Sequence, residues 1–236
     1  KATNQLFLEF NSKYILGTMK AKASYTSYAY GYNDILNGNS DIETTTLKGN
    51  AVSLGGDWNV EINRFNFYVD AQVTPGEGRL GGNYLKGEAI YKKDSILSLK
   101  ARLLISSKSP NFNFLLHQSN YDAYNWQHNF NNENTRNLDF SLKSKWGNTS
   151  VSIVNIDNFT YFDETSSPKQ YENQIVYLKV KASKEIRYHK FALHNTVMFQ
   201  KVAGGKSVFN VPEVVTRNTF YYTDFWFEGK PMKVQI

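Results

Sequence analysis

Apolar and polar side chains alternate one by one along most of this chain. In residues 65–73, Phe65, Phe67, Val69, Ala71 and Val73 are interleaved with Asn66, Tyr68, Asp70 and Gln72. Residues 97–106 set Leu97, Leu99, Ala101, Leu103 and Ile105 against Ser98, Lys100, Arg102 and Ser106. The same period recurs in 137–146, through Leu138, Phe140, Leu142 and Trp146, and in 176–183, through Val176, Leu178, Val180 and Ala182. Successive side chains of a strand point to opposite faces, so each run predicts a strand with one apolar and one polar face. No segment shows a 3.6-residue period, and the expectation is an all-β chain.

Turn-forming clusters divide the runs. They occur at Asn37-Gly38-Asn39, Pro75-Gly76-Glu77-Gly78, Lys108-Ser109-Pro110, Ser166-Ser167-Pro168, Gly204-Gly205 and Gly229-Lys230-Pro231. Four of the five prolines, Pro75, Pro110, Pro168 and Pro231, stand in such breaks, where a missing N–H interrupts no ladder. The spacing predicts roughly twelve strands at about 20 residues per unit. Several alternating stretches reach about 9 residues or more, the length a tilted strand needs to cross a bilayer. Strands of soluble sandwiches are shorter, about 5–6 residues. An antiparallel up-and-down transmembrane β-barrel is therefore expected, with 1–236 forming one segment and no internal domain boundary.

The stretch "NFNFLLHQSNYDAYNWQHNF", residues 111–130, crowds rings among amides. Rings also gather near predicted strand ends, and Trp58, Tyr124, Trp126, Trp146, Tyr161, Phe162, Tyr221 and Trp226 are the candidate interfacial aromatic girdle.

Composition adjusts this picture at few points. The chain is 41% hydrophobic and 15% aromatic, and rings suit a pleated surface. Mean hydropathy is −0.51, and no window approaches the apolar run of about 18 residues that marks a membrane-spanning helix. A barrel leaves a much weaker trace, so a membrane location stays open. The 27 basic and 21 acidic residues give a net charge of +6, yet no basic run forms a patch, and no nucleic-acid partner is expected. The absence of cysteine removes disulfides and thiolate sites. Lys1 is preceded by no recognisable leader, which predicts a mature or truncated product.

Motifs for chemistry fail on context. Gly76-Glu77-Gly78-Arg79-Leu80-Gly81 fits a dinucleotide fingerprint, but an alternating strand pattern follows where a helix is needed. Gly205-Lys206-Ser207 lacks the first glycine of a phosphate loop. His117, His128, His189 and His194 have no metal-ligand spacing, and no nucleophile elbow occurs. No enzymatic activity, metal or cofactor is expected.

Several separated motifs carry a family resemblance. His117, Ser119 and Asn120 are followed by Trp126 and then Asn129-Phe130. Asn158, Tyr161-Phe162-Asp163, Pro168 and Gln170 come next, and Gln200, Pro212, Arg217 and Tyr221-Tyr222 lie further on. In this order they resemble the β-barrel porins of Bacteroidetes outer membranes, across roughly residues 95–236. Family members are longer and this chain stops at Ile236 within an alternating run, so the resemblance implies part of a larger barrel.

The resemblance implies an integral outer-membrane channel for passive diffusion of small hydrophilic solutes. Apolar alternates would then meet lipid and polar alternates a water-filled lumen. Lys20, Lys22, Asp70, Lys100, Arg102, Asp139, Lys143, Lys145, Lys179 and Lys181 are the candidate lumen-facing residues, and on the strands of clearest alternation Asp70 and Asp139 are the only acids set against the cations. Such a wall would prefer anions weakly. The expected partners are outer-membrane lipid and, beyond it, further copies of the chain or other subunits of an outer-membrane complex. Two other readings stay open: a structural or partner barrel subunit without transport of its own, and a soluble β-sandwich binding module.

Overall fold

The computed structural model describes residues 1–12, 14–32, 46–76, 80–94, 96–121 and 124–236. The predicted turn at Asn37-Gly38-Asn39 and the centre of the Gly76–Gly81 motif lie outside them. The strands are β1 (Ala2–Ser12), β2 (Ile15–Gly31), β3 (Thr46–Ile62), β4 (Phe65–Thr74), β5 (Gly82–Lys93) and β6 (Leu97–Lys108). A helical turn α1 (Phe112–Leu115) follows, then β7 (Leu116–His117), β8 (Trp126–Gln127), β9 (Glu133–Ser144) and β10 (Gly147–Asp157). The chain continues through β11 (Thr160–Phe162), β12 (Pro168–Gln170), β13 (Ile175–Tyr188), β14 (Phe191–Ala203), β15 (Val214–Phe227) and β16 (Lys230–Gln235). Helix α1 is a local exception to the two-residue period. Asn111 caps it by accepting a hydrogen bond from the Asn113 N–H.

Twelve strands form one antiparallel sheet in the order β1-β2-β3-β4-β5-β6-β9-β10-β13-β14-β15-β16. The other four make two short hairpins, β7-β8 and β11-β12, inside connections. Each long strand pairs with its sequence neighbours, an up-and-down meander. β1 and β16 are the sheet's two edges and do not pair with each other.

Directly opposed residues of a ladder share a face, so the registers carry one face from strand to strand. Lys22 opposes Gly55, Gly55 opposes Gln72, and Gln72 opposes Tyr84. Arg102 opposes Asp139, which opposes Ser152, which opposes Lys179. The alternate face carries Leu54, Val69, Leu99, Leu138, Phe140, Ile153, Val197 and Phe199, all of them exposed. No second layer covers that face among the described residues, of which only seven hydrophobic ones are buried, and of those seven only Val60 stands on it. Thr26, Ser53, Thr74, Ser152, Gln200 and Thr219, on the polar face, are buried. Small polar groups more shielded than large apolar ones indicate a sheet that curls with its polar face inside. A soluble sandwich would bury the opposite set.

The connections differ by end. Ile62 opposes Phe65, Ser144 opposes Gly147, Tyr188 opposes Phe191, and Ser12 opposes Ile15, which leaves two-residue turns. Asn63 and His189 take positive φ in these turns, and Asp94 and Glu228 do so in the short β5–β6 and β15–β16 connections at the same end, the conformation that tight hairpins favour. The connections after Gly31, Thr74, Lys108, Asp157 and Ala203 are longer, and all leave from the opposite end of the sheet. Short turns at one end and long loops at the other are the asymmetry of outer-membrane barrels.

Candidate functional site

On the polar face, charges meet in cross-strand pairs. Lys22 Nζ lies 2.5 Å from Asp57 and 3.3 Å from Asp70, reaching from β2 across β3 to β4. The Tyr84 hydroxyl donates to both Asp70 oxygens at 3.2 Å. Lys20 pairs with Glu9 at 3.0 Å, Lys100 with Glu88 at 2.6 Å, and Arg102 with Asp139 at 2.9 Å. Asp139 also accepts from Asn137 Nδ2 at 3.0 Å and from the Ser152 hydroxyl.

Nine of the ten candidate lumen residues stand on this face: Lys20, Lys22, Asp70, Lys100, Arg102, Asp139, Lys143, Lys179 and Lys181. Lys145 does not. It sits in the β9–β10 turn with its Nζ 5.0 Å from the Trp146 ring centroid. The expectation that Asp70 and Asp139 are the only opposing acids is corrected, because Glu9, Asp57 and Glu88 share the face and form ion pairs there. The acids are also unevenly placed. From β1 to β5, Lys20, Lys22, Lys86 and Lys92 face Glu9, Asp57, Glu61, Asp70 and Glu88. Strands β6 to β15 place Lys100, Arg102, Lys108, Lys143, Lys179, Lys181, Arg187 and Arg217 on this face against three acids of their own, Glu133, Asp139 and Glu185, with Glu88 of β5 pairing Lys100 across the boundary. The positive charge of the wall is concentrated in its second half.

The aromatic candidates separate into several environments. Trp58 stands on the apolar face, its indole N–H donating to the Leu16 carbonyl at 2.8 Å. Trp146 and Trp226 are exposed beside the short turns. Tyr221 lies on the polar face, with Lys233 Nζ 3.9 Å from its ring centroid. Tyr124, Trp126, Tyr161 and Phe162 lie in the connections, off the large sheet. Trp126 stacks on His117 at 4.8 Å and meets Phe162 edge-on at 5.8 Å, so these rings pack on one another rather than standing on the exposed apolar face of the sheet.

Those contacts belong to a segment folded back onto the sheet. Leu115 and Leu116 are buried against Leu47 of β3, with Tyr30, Tyr32, Phe112 and Phe130 around them. Phe112 stacks on Tyr28 at 5.4 Å, and the Tyr32 hydroxyl bonds His117 Nδ1 at 2.8 Å. Burial without a charged partner holds the His128 imidazole below its ordinary pKa. In the β10–β13 connection, Lys169 beside Asp163, helped by the Thr165 and Ser167 groups, holds that carboxyl well below the usual carboxylate range. Gln170 Nε2 donates to the carbonyls of Asn131 at 2.9 Å and Asn158 at 3.0 Å, and Asn158 Nδ2 donates to the Asn132 carbonyl at 3.0 Å. Gln200 Nε2 donates to the Pro212 carbonyl at 3.0 Å. Many of the motif residues singled out in the sequence are thus the pins that tie the long connections to the sheet and to each other.

A family model described as "Putative porin" matches residues 1–236, the whole chain. No curated protein matches it.

Proposed function

Because the chain belongs to this porin family, we propose that it forms part of the wall of an outer-membrane channel through which small hydrophilic solutes diffuse passively. The observation that carries the reading is the two-sided sheet: large apolar side chains exposed on one face, small polar and paired charged groups on the other. In hydrocarbon every backbone group must find its partner within the protein, a demand that inter-strand ladders meet. The strands of 10–17 residues from β1 to β15 in the large sheet suffice to cross while tilted. The wall works by its shape and field rather than by catalysis. Lys143, Lys179 and Lys181, which have no acid partner among the described residues, support a weak preference for anions.

Planar-bilayer recordings in a salt gradient test this. The expected result is an ohmic conductance whose reversal potential reports excess anion flux. Cation preference would remove the anion reading, and silent membranes containing folded protein would remove the channel. The segment folded onto the polar face at Leu115–Leu116 favours a second reading, a structural subunit whose lumen is occluded. Silent bilayers together with stoichiometric co-purifying outer-membrane subunits are the result expected of it.

A further inference from the structure

The second half of the polar face contains a cavity of about 170 Å³ that the ion pairs leave open. Its polar lining is three cations, Lys100, Arg102 and Lys179, three serines, Ser141, Ser150 and Ser152, and Asp139. Two adjacent rows of the ladder build it. Lys100, Ser141, Ser150 and Lys181 oppose one another in succession across β6, β9, β10 and β13. Arg102, Asp139, Ser152 and Lys179 form the next row on that face. Strands lie about 4.8 Å apart and same-face residues about 7 Å apart along a strand, so the long basic side chains at either side can lean over a floor of short hydroxyls.

We propose that this cavity is a binding subsite for a small tetrahedral oxyanion such as phosphate. The chemistry fits at each position. A hydroxyl floor offers O–H donors at no cost in volume, and cations on both flanks supply charge-assisted hydrogen bonds. The one acid of the lining is already engaged. Asp139 accepts from Arg102 Nε at 3.0 Å and from the Ser152 hydroxyl, which fixes both groups at the rim and offsets one cation. Lys100 is offset by Glu88. Lys179 and the adjacent Lys181 remain without acid partners among the described residues, so the subsite keeps excess positive charge. Bulkier residues in place of the serines would fill the space, which gives their small size a purpose beyond polarity.

The inference deepens the channel reading and rests on the polar face meeting water. Inorganic phosphate titrated into the full chain in detergent micelles, followed by calorimetry, is the direct measurement. Saturable binding is expected. Lys179→Gln should weaken it about tenfold, the size of one charge-assisted hydrogen bond. Ser150→Leu, which fills the floor without changing charge, should weaken it at least as much. Lys86→Gln, which removes the same charge from the same face but outside the cavity's lining, should not. Unshifted migration of each unboiled variant on a gel checks that it folds. Absence of saturable binding, or an equal loss with Lys86→Gln, overturns the subsite. Phosphate binding without conductance would keep the subsite and reject the channel. Conductance without phosphate binding would do the reverse.

Discussion

Lys22 lies between Asp57 and Asp70, which oppose each other on β3 and β4 and would repel without it. All three side chains are largely shielded. Replacing Lys22 by Met leaves two neighbouring carboxylates uncompensated, and a loss of about 2–3 kcal/mol is expected, below the full cost of breaking a fully buried pair. Urea midpoints of unboiled gel migration measure it, and adding Asp70→Asn to the Met variant should recover part of the loss. A second expectation concerns tryptophan. Lipids brominated on their chains should quench Trp58 and leave Trp126 nearly unaffected, since one stands on the apolar face and the other is stacked on His117. Single-tryptophan variants read this by fluorescence. At this scale the sequence disclosed which face a strand residue takes, because parity is written into the alternation. It did not disclose who stands across from whom. Glu9, Asp57 and Glu88 escaped notice because pairing depends on register, which turn geometry and packing set together.

Among the elements, the segment from Asn111 to Phe130 behaves as a small unit of its own, with a capped helical turn, a two-rung hairpin and a buried leucine pair. Leu116→Ala should undock it, at about 2–4 kcal/mol for a leucine truncated in a packed site. Iodide would then quench Trp126 more readily while the sheet keeps its resistance to detergent. Acid should act in the same direction. His128 is depressed by burial, so the docked form is fully favoured above the free-imidazole value of about 6.5 and loses support as pH falls through the lower docked value. Iodide access to Trp126 should rise on acidification, and His128→Gln should flatten that dependence. The amide and ring run of this segment was legible as unusual, but its role was not, because a 3.6-residue period cannot show itself in a helix of four residues. The turns tell a related story. Glycine and proline clusters marked most of the long connections, whereas Asn63-Arg64, Lys145-Trp146 and His189-Lys190 close the tight hairpins with residues that carry little turn signal. Single residues at positive φ are enough for a two-residue loop once the strands on either side pair.

The whole molecule is one curled, two-sided sheet, and its alternating pattern made that architecture readable in advance. The uneven distribution of charge around the wall was not readable, since it depends on which strands carry acids in the same rows as cations. Removing Lys143, Lys179 and Lys181 together should shift the bilayer reversal potential toward cations, and removing Lys20 and Lys86 should shift it less, because acids already offset the first half. The tight turns have a further consequence for how such a wall is put together. They join the chain into strips of two strands each, β1–β2, β3–β4, β5–β6, β9–β10, β13–β14 and β15–β16, whose closure entropy is small because the intervening loops are minimal. A break in the backbone between Gly204 and Glu213 would separate two intact strips, and the severed pieces, produced side by side in one cell, should find each other and knit. A break between His189 and Lys190 would tear a strip in half, and those pieces should not.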